Sequence, residues 1–117
     1  MTILLKRAYE TPEPDDGFRV LVDRLWPRGV AKSFAKIDLW LKDVAPSTAI
    51  RKWFSHDPAK WLEFRDLYLS ELSQNPEAVG QLMEYVRRGR VTLVYGAKDT
   101  EHTHALVLKE FLENKGS

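Results

Sequence analysis

Four short apolar stretches have the length of buried strands. They cover residues 3–5, 18–23, 37–41 and 91–95. Val20, Leu21 and Val22 follow one another in the second stretch, and residues 91–95 are almost wholly apolar. Short runs that are apolar on both sides are typical of strands covered by helices on both faces. The third stretch fits either a short strand or an extended segment.

Three helix starts are predicted in the middle of the chain. Each has a polar residue that can cap the first turn, and two of them add proline at the first helical position. The capping residues are Ser47, Asp57 and Asn75, and Pro58 and Pro76 follow the last two. The helix after Asp57 is expected to reach about residue 73.

The helix that starts after Asn75 and the last helix of the chain each show a stripe of apolar side chains at helical spacing. The stripes are Val79, Leu82, Met83 and Val86 in one helix, and Ala105, Leu108, Phe111 and Leu112 in the last one. Gly89 is expected to end the first of them as a left-handed cap. Together the elements predict one α/β domain over residues 1–117, a small three-layer fold with a short, mainly parallel sheet.

Dense polar clusters follow two of the predicted strands. In open α/β sheets, ligands bind beyond the carboxyl ends of the strands. If the two strands are parallel neighbours, both clusters open into one crevice. The candidate site residues are Asp23, Arg24 and Arg28 after one strand, and Lys98, Asp99, His102, Thr103 and His104 after the other.

The charges of these clusters favour a small anion that carries phosphate or carboxylate. Arg24, Arg28 and Lys98 would neutralise it, and a guanidinium group can grip such a ligand with two hydrogen bonds. The unpaired N–H groups at the start of the last helix would add to this attraction. In the alternative interpretation, the arginines pair with surface acids and Asp99 only caps the helix.

Histidine titrates near neutral pH, so His102 or His104 is the candidate acid or base if a reaction takes place. The same pair does not predict a metal site, because two residues that lie two apart on a helix point in nearly opposite directions. The consecutive letters of Ser55, His56 and Asp57 do not make a catalytic triad, whose members must converge in space. The scattered glycines form no phosphate-binding loop. We therefore predict neither a metal nor a cofactor.

A second function class rests on aromatic and basic residues in the middle helices. A module of this kind would bind nucleic acid or protein through exposed rings beside cations. The rings are Trp53, Phe54, Trp61, Phe64 and Tyr68, and the cations are Arg51, Lys52, Lys60 and Arg65. Rings at helical spacing usually pack in a core instead.

Composition limits the choice of partners. The chain has 117 residues, 18 basic and 17 acidic side chains and a net charge of +1. This balance does not favour binding to nucleic acid. With 44% hydrophobic residues and no cysteine, the chain can form a core but can hold neither a disulfide nor a thiolate. No apolar run approaches the roughly 20 residues of a membrane span, and residues 1–7 do not resemble a signal peptide. The oligomeric state stays open.

The heptapeptide DRLWPRG, residues 23–29, resembles the signature of the YeaO-like proteins, domain of unknown function 488. Further similar stretches cover residues 42–47, 53–56, 64–72, 93–98 and 105–108. The resemblance implies a small cytoplasmic α/β protein of bacteria or archaea, with no established reaction. Distant relatives carry cysteines where this chain has Tyr95 and Thr103, so their thiol chemistry is not implied here. The Thr103 hydroxyl could donate a hydrogen bond, but without a base it is a poor nucleophile.

Overall fold

Four parallel strands form the centre of the protein, in the order β1-β4-β2-β3. The computed structural model describes residues 1–116. The strands are β1 Ile3–Arg7, β2 Phe18–Leu21, β3 Leu39–Trp40 and β4 Val91–Tyr95. The helices are α1 Lys32–Ala35, α2 Thr48–Phe54, α3 Trp61–Ser73, α4 Pro76–Arg88 and α5 His104–Gly116. These elements confirm the predicted α/β class and the parallel sheet.

The most apolar strand occupies the middle of the sheet. In β4, Val91 pairs with Ile3 of β1 on one side and with Phe18 of β2 on the other. All five residues of β4 are buried. Because neighbouring strands and packed layers surround it, an unbroken apolar run is the pattern that this position requires.

Helices cover the two faces of the sheet unequally. On one face, Val20, Val22 and Leu93 join a large core with the apolar stripes of α3, α4 and α5. On the other face, Leu21 and Val94 lie in a small cluster that α1 completes through Ala35. The third layer is therefore one helical turn and its neighbouring loops, while the main core lies under the longer helices.

Three predicted helix ends differ in detail from the structure. The Asp57 carboxylate does accept the Ala59 N–H at 3.0 Å, but the turn that it caps, Pro58–Lys60, is a 3-10 turn before α3. Asn75 makes no capping bond, because its side-chain amide donates to the Asp43 carbonyl at 2.8 Å. The prediction of a left-handed Gly89 is wrong, since its φ of 162° is extended backbone.

The connection between β4 and α5 is longer than the tight turn that the sequence predicts. The Asp99 carboxylate accepts the N–H groups of Glu101 and His102 at 2.9 and 3.0 Å. This turn occupies the residues that would otherwise begin the helix, so α5 starts only at His104. His102 and His104 consequently lie on different elements. Among the described helices, none is long and apolar enough to cross a bilayer.

Candidate functional site

A cavity of about 470 Å³ lies beyond the carboxyl ends of β2 and β4. The segment after β2, the end of α2 and the segment before α5 all contribute to its walls. Six residues that the sequence singles out line it: Asp23, Arg24, Arg28, His102, Thr103 and His104. The other two, Lys98 and Asp99, belong to the same β4–α5 loop but are not among the lining residues.

Asp23 joins the two strand ends. One carboxylate oxygen, Oδ2, accepts the N–H of Gly96 at 2.9 Å. A side chain at position 96 would begin only 3.0 Å from this oxygen, so the close approach favours glycine. The other oxygen, Oδ1, is buried and has no hydrogen-bond partner among the described residues.

Burial raises the pKa of the Asp23 carboxyl above its usual range, although the charge of His104 and the Gly96 N–H counteract this rise. A charged carboxylate at this position therefore loses part of the hydration free energy that it would have in water. Such a carboxyl is costly to keep charged in the folded protein.

His104 is fixed to β2 from the first turn of α5. Its Nε2 lies 3.0 Å from the carbonyl oxygen of Val22 and 3.3 Å from Asp23 Oδ1. A carbonyl only accepts, so Nε2 carries the proton of this contact. The ring also meets the Tyr68 ring edge-on at 6.0 Å. His104 therefore holds the helix against the strand end as well as lining the cavity.

His102 is oriented by Asp99. Its Nδ1 lies 2.7 Å from Asp99 Oδ2, and its ring contacts Trp61 edge-on at 5.5 Å. The hydrogen bond from His102 is the main cause that lowers the pKa of the Asp99 carboxyl. Asp99 thus accepts hydrogen bonds from the backbone of the loop and holds the His102 ring. His102 Nε2 is left for other partners.

Arg24 uses much of its guanidinium group for structure. Its Nε and Nη2 donate to the carbonyl oxygens of Pro46 and Ala45 at 3.3 and 3.2 Å. These bonds hold the segment before α2 against the segment after β2. Arg28 differs, because its side chain is exposed at the rim of the cavity.

One further guanidinium group and one further imidazole line the cavity, those of Arg51 and His56. Arg51 lies on α2, where the sequence assigns it to the aromatic and basic helical residues. His56 reaches the cavity because Ser55 and His56 both have left-handed backbone, with φ of 47° and 57°. Neither position has a sequence signal for a site, since the packing angle of α2 decides where they point.

The charge of the lining is strongly unbalanced. Arg24, Arg28 and Arg51 contribute three guanidinium groups, and no ion pair involves any of them within residues 1–116. Asp23 is the one carboxylate among the lining residues, and it is engaged by Gly96 and His104. The arrangement can attract a negative charge.

Apolar side chains form the inner wall. Phe54 and Phe64 stack on each other with ring centroids 4.3 Å apart and are 5% and 2% exposed. Tyr68 is also buried, with its hydroxyl donating to the Val44 carbonyl at 2.6 Å. Three of the five rings that the sequence offered for base stacking therefore lie in the core.

Comparisons with known proteins agree with the heptapeptide resemblance. A family described as "Inactive DUF488-N3 subclade" matches residues 2–116. The chain is 42% identical over 114 residues to the uncharacterized protein YeaO of Escherichia coli K12, covering 97% of this chain and 99% of that protein. It is 39% identical over 113 residues to the uncharacterized protein Rv3073c of Mycobacterium tuberculosis H37Rv, covering 97% and 95%.

The fold is that of a small α/β protein with a parallel sheet. Its sequence identities of 42% and 39% to these two proteins, over almost the whole chain, show that it is related to both. The chain belongs to the DUF488 family, within the subclade described as inactive. No solved structure matches it.

Proposed function

We propose that the protein binds a small anionic ligand in the cavity between the β2–α1 and β4–α5 connections. The observation that carries the proposal is the set of three lining arginines without an ion-pair partner in residues 1–116. Three guanidinium groups face one cavity that holds a single carboxylate, Asp23, so the lining keeps an excess of positive charge. A bound anion offsets this excess and accepts charge-assisted hydrogen bonds.

The roles of the lining residues follow from their exposure and contacts. Arg28 and Arg51 are exposed and reach the ligand from the rim. Arg24, whose guanidinium group is hydrogen-bonded to the Pro46 carbonyl, adds a further positive charge. His102 offers its Nε2 as a hydrogen-bonding group, held in place by Asp99. Lys98 adds long-range attraction only, since it is not among the lining residues.

Binding without turnover is the form of the proposal that the comparisons favour, because the subclade is described as inactive. The chain has no cysteine, so a thiolate nucleophile is absent, and the Thr103 hydroxyl oxygen accepts the Ala105 N–H at 3.4 Å. His104 Nε2 is occupied by the Val22 carbonyl. We propose that these groups recognise a ligand in the cytoplasm and leave its bonds intact.

The test uses phosphate and acetate as probes at constant ionic strength, followed by amide shifts of Gly96 and Ala97 in nuclear magnetic resonance spectra. Both anions are expected to bind at millimolar concentration. Arg51→Gln should weaken binding about five- to tenfold, the lower range for a charged hydrogen bond at an exposed rim.

Lys52→Gln is the matched control, because Lys52 is the exposed neighbour of Arg51 and does not line the cavity. It changes the net charge equally and should leave the affinity unchanged. Equal losses in both variants would mean that only overall charge matters, and the proposed site would be wrong. An absence of shifts with either anion would overturn it as well.

A further inference from the structure

We infer that the ligand is an organic anion with an apolar, ring-sized body, and that its charged group lies at the rim while its body lies inside. The inference rests on the proposed function and adds the class and orientation of the ligand. It follows from the distribution of polar and apolar groups over the depth of the cavity.

Burial separates the lining into an inner and an outer zone. The buried lining residues are apolar apart from Thr103, and they form the inner wall: Pro27, Ala45, Pro46, Phe54 and Phe64. The exposed side chains at the rim include all three exposed cationic or imidazole groups of the lining, Arg28, Arg51 and His56, beside Tyr9 and Leu25. An ion that bound in the inner zone would lose its hydration against hydrocarbon, which is costly. An anionic group is therefore best placed at the rim, where the guanidinium groups lie.

The inner zone favours an apolar part of the ligand. Rings of Phe54 and Phe64 and the ring of Pro46 offer dispersion contacts to carbon atoms, and transfer of an apolar body from water to this wall is favourable. Trp26 adds a half-buried ring on the side of the β2–α1 connection. A flat ring can lie against such a wall with its substituent pointing outward.

Volume supports the same assignment. The cavity measures about 470 Å³, within the range of small-molecule sites of roughly 300–1,000 Å³. An inorganic anion would fill only a small part of it, since one water occupies about 30 Å³ in the liquid. The remaining space would stay as water against apolar carbon. A ligand of benzoate size displaces this water.

The carboxylate of Asp23 also restricts where the anionic group of the ligand can lie. Asp23 lies at the end of β2 beside Gly96 and His104, and its negative charge opposes an anionic group placed near it. This carboxylate and the rim arginines therefore act together. They orient the ligand so that its charged group faces outward. A neutral apolar ligand would gain nothing from this arrangement of charges.

The experiment compares two pairs of anions at constant ionic strength: acetate with benzoate, and inorganic phosphate with phenyl phosphate. Amide shifts of Gly96 and Ala97 report binding. Each aromatic member is expected to bind at least about tenfold more tightly than its partner, because it buries several additional carbon atoms. The two pairs distinguish a carboxylate from a phosphate as the preferred charged group. Neutral benzamide should bind at least about tenfold more weakly than benzoate.

A cavity-filling variant tests the need for volume separately. Ala97 is half-buried and lines the cavity, so Ala97→Leu, followed through the Gly96 amide, should weaken benzoate binding more than acetate binding. Ala49→Leu is the control, because Ala49 is exposed on α2 and does not line the cavity. The ligand series on the unaltered protein gives an answer even if Ala97→Leu disturbs the fold.

The outcomes separate this inference from the proposed function. If acetate and benzoate bind equally and both depend on Arg51, the anion site stands and the apolar class of ligand is wrong. If benzamide binds as tightly as benzoate, the outward charge is wrong. If none of the anions binds, both proposals fail together.

Discussion

The carboxyl groups of Asp23 and Asp99 lie in opposite environments although both border the same loop. Burial raises the pKa of Asp23, whereas the hydrogen bond from His102 is the leading cause of the lowered pKa of Asp99. A raised carboxyl pKa means that the folded protein holds the proton more readily than the unfolded chain. The charged form of Asp23 thus costs stability above the unfolded pKa, and the charged form of Asp99 contributes stability in the same range.

We predict that Asp23→Asn stabilises the protein at pH 7, because it removes a desolvated charge while an amide oxygen can still accept the Gly96 N–H. Urea denaturation at pH 7 and at about pH 2.5 measures the effect. The gain should disappear at the lower pH, where the carboxyl is protonated in both states.

Asp99→Asn is the contrasting variant and should lower stability at pH 7, since it removes the acceptor of the His102 ring and of two N–H groups. This loss should also fade as the pH falls through the folded pKa. A loss of stability in both variants would show that the Asp23 charge is not a net cost.

For single residues, the sequence predicts best those that lie just after the end of a strand. Asp23 and Arg24 come just after the end of β2, so the topology alone carries them to the carboxyl edge. Lys98 and Asp99 come soon after β4 as well, but they are not among the lining residues, and Asp99 instead accepts N–H groups within the β4–α5 loop. Arg51 could not be found from the sequence, because the position of α2 depends on how its buried Phe54 packs on α3.

At the scale of elements, the helix ends show where local signals suffice. Capping by Ser47, whose hydroxyl oxygen accepts the Ile50 N–H at 3.3 Å, follows from the sequence. The extended Gly89 does not, because the chain must turn at once into β4 and the path of that turn is set by the sheet. Strand existence was predictable from apolar runs, while the order β1-β4-β2-β3 was not, since pairing partners are tertiary.

The end of α2 carries backbone strain that a substitution can measure. Ser55 has φ of 47° and its N–H donates to the Arg51 carbonyl at 3.0 Å. Left-handed backbone costs a residue other than glycine roughly 1–2 kcal/mol. We therefore expect Ser55→Gly to stabilise the protein by about 0.5–1 kcal/mol, measured by urea denaturation, after the entropy that glycine adds to the unfolded chain.

Ser70→Gly provides the control for this change. Ser70 is exposed within α3, where glycine is expected to cost about 0.5–1 kcal/mol. Opposite signs for the two variants would confirm that the strain belongs to the left-handed position. If Ser55→Gly destabilises as Ser70→Gly does, the backbone at Ser55 is not strained.

At the scale of the whole molecule, charge and burial together argue against a nucleic-acid surface. The net charge is +1, and Phe54, Phe64 and Tyr68 are buried. Stacking on bases requires exposed rings beside cations. We predict no binding of a fluorescent 20-nucleotide single strand or duplex at 150 mM salt, measured by anisotropy. Tight binding that falls steeply with added salt would contradict this and favour the module of aromatic and basic residues.

A buried ion network connects the first two strands through Lys6, Asp16 and Arg19. Asp16 lies within 2.9 Å of Lys6 Nζ and 2.6 Å of Arg19 Nη1, and both Asp16 and Arg19 are buried. Burial alone would raise the pKa of Asp16, but hydrogen bonds from Lys6, the Glu13 N–H and Arg19 outweigh it and lower the pKa. The carboxylate therefore contributes stability above its unfolded pKa.

We predict that Asp16→Asn lowers the free energy of unfolding by about 3 kcal/mol at pH 7, because Arg19 then remains buried without its countercharge. Asp15→Asn is the control: Asp15 is exposed and should change stability by less than about 0.5 kcal/mol. The difference between the unaltered protein and Asp16→Asn should stay constant from pH 7 down to about pH 5 and shrink below about pH 4, as the unfolded and then the folded carboxyl take up a proton. Urea denaturation across this range measures it, and a difference that persists unchanged at pH 2.5 would mean that Asp16 acts through packing and not through its charge.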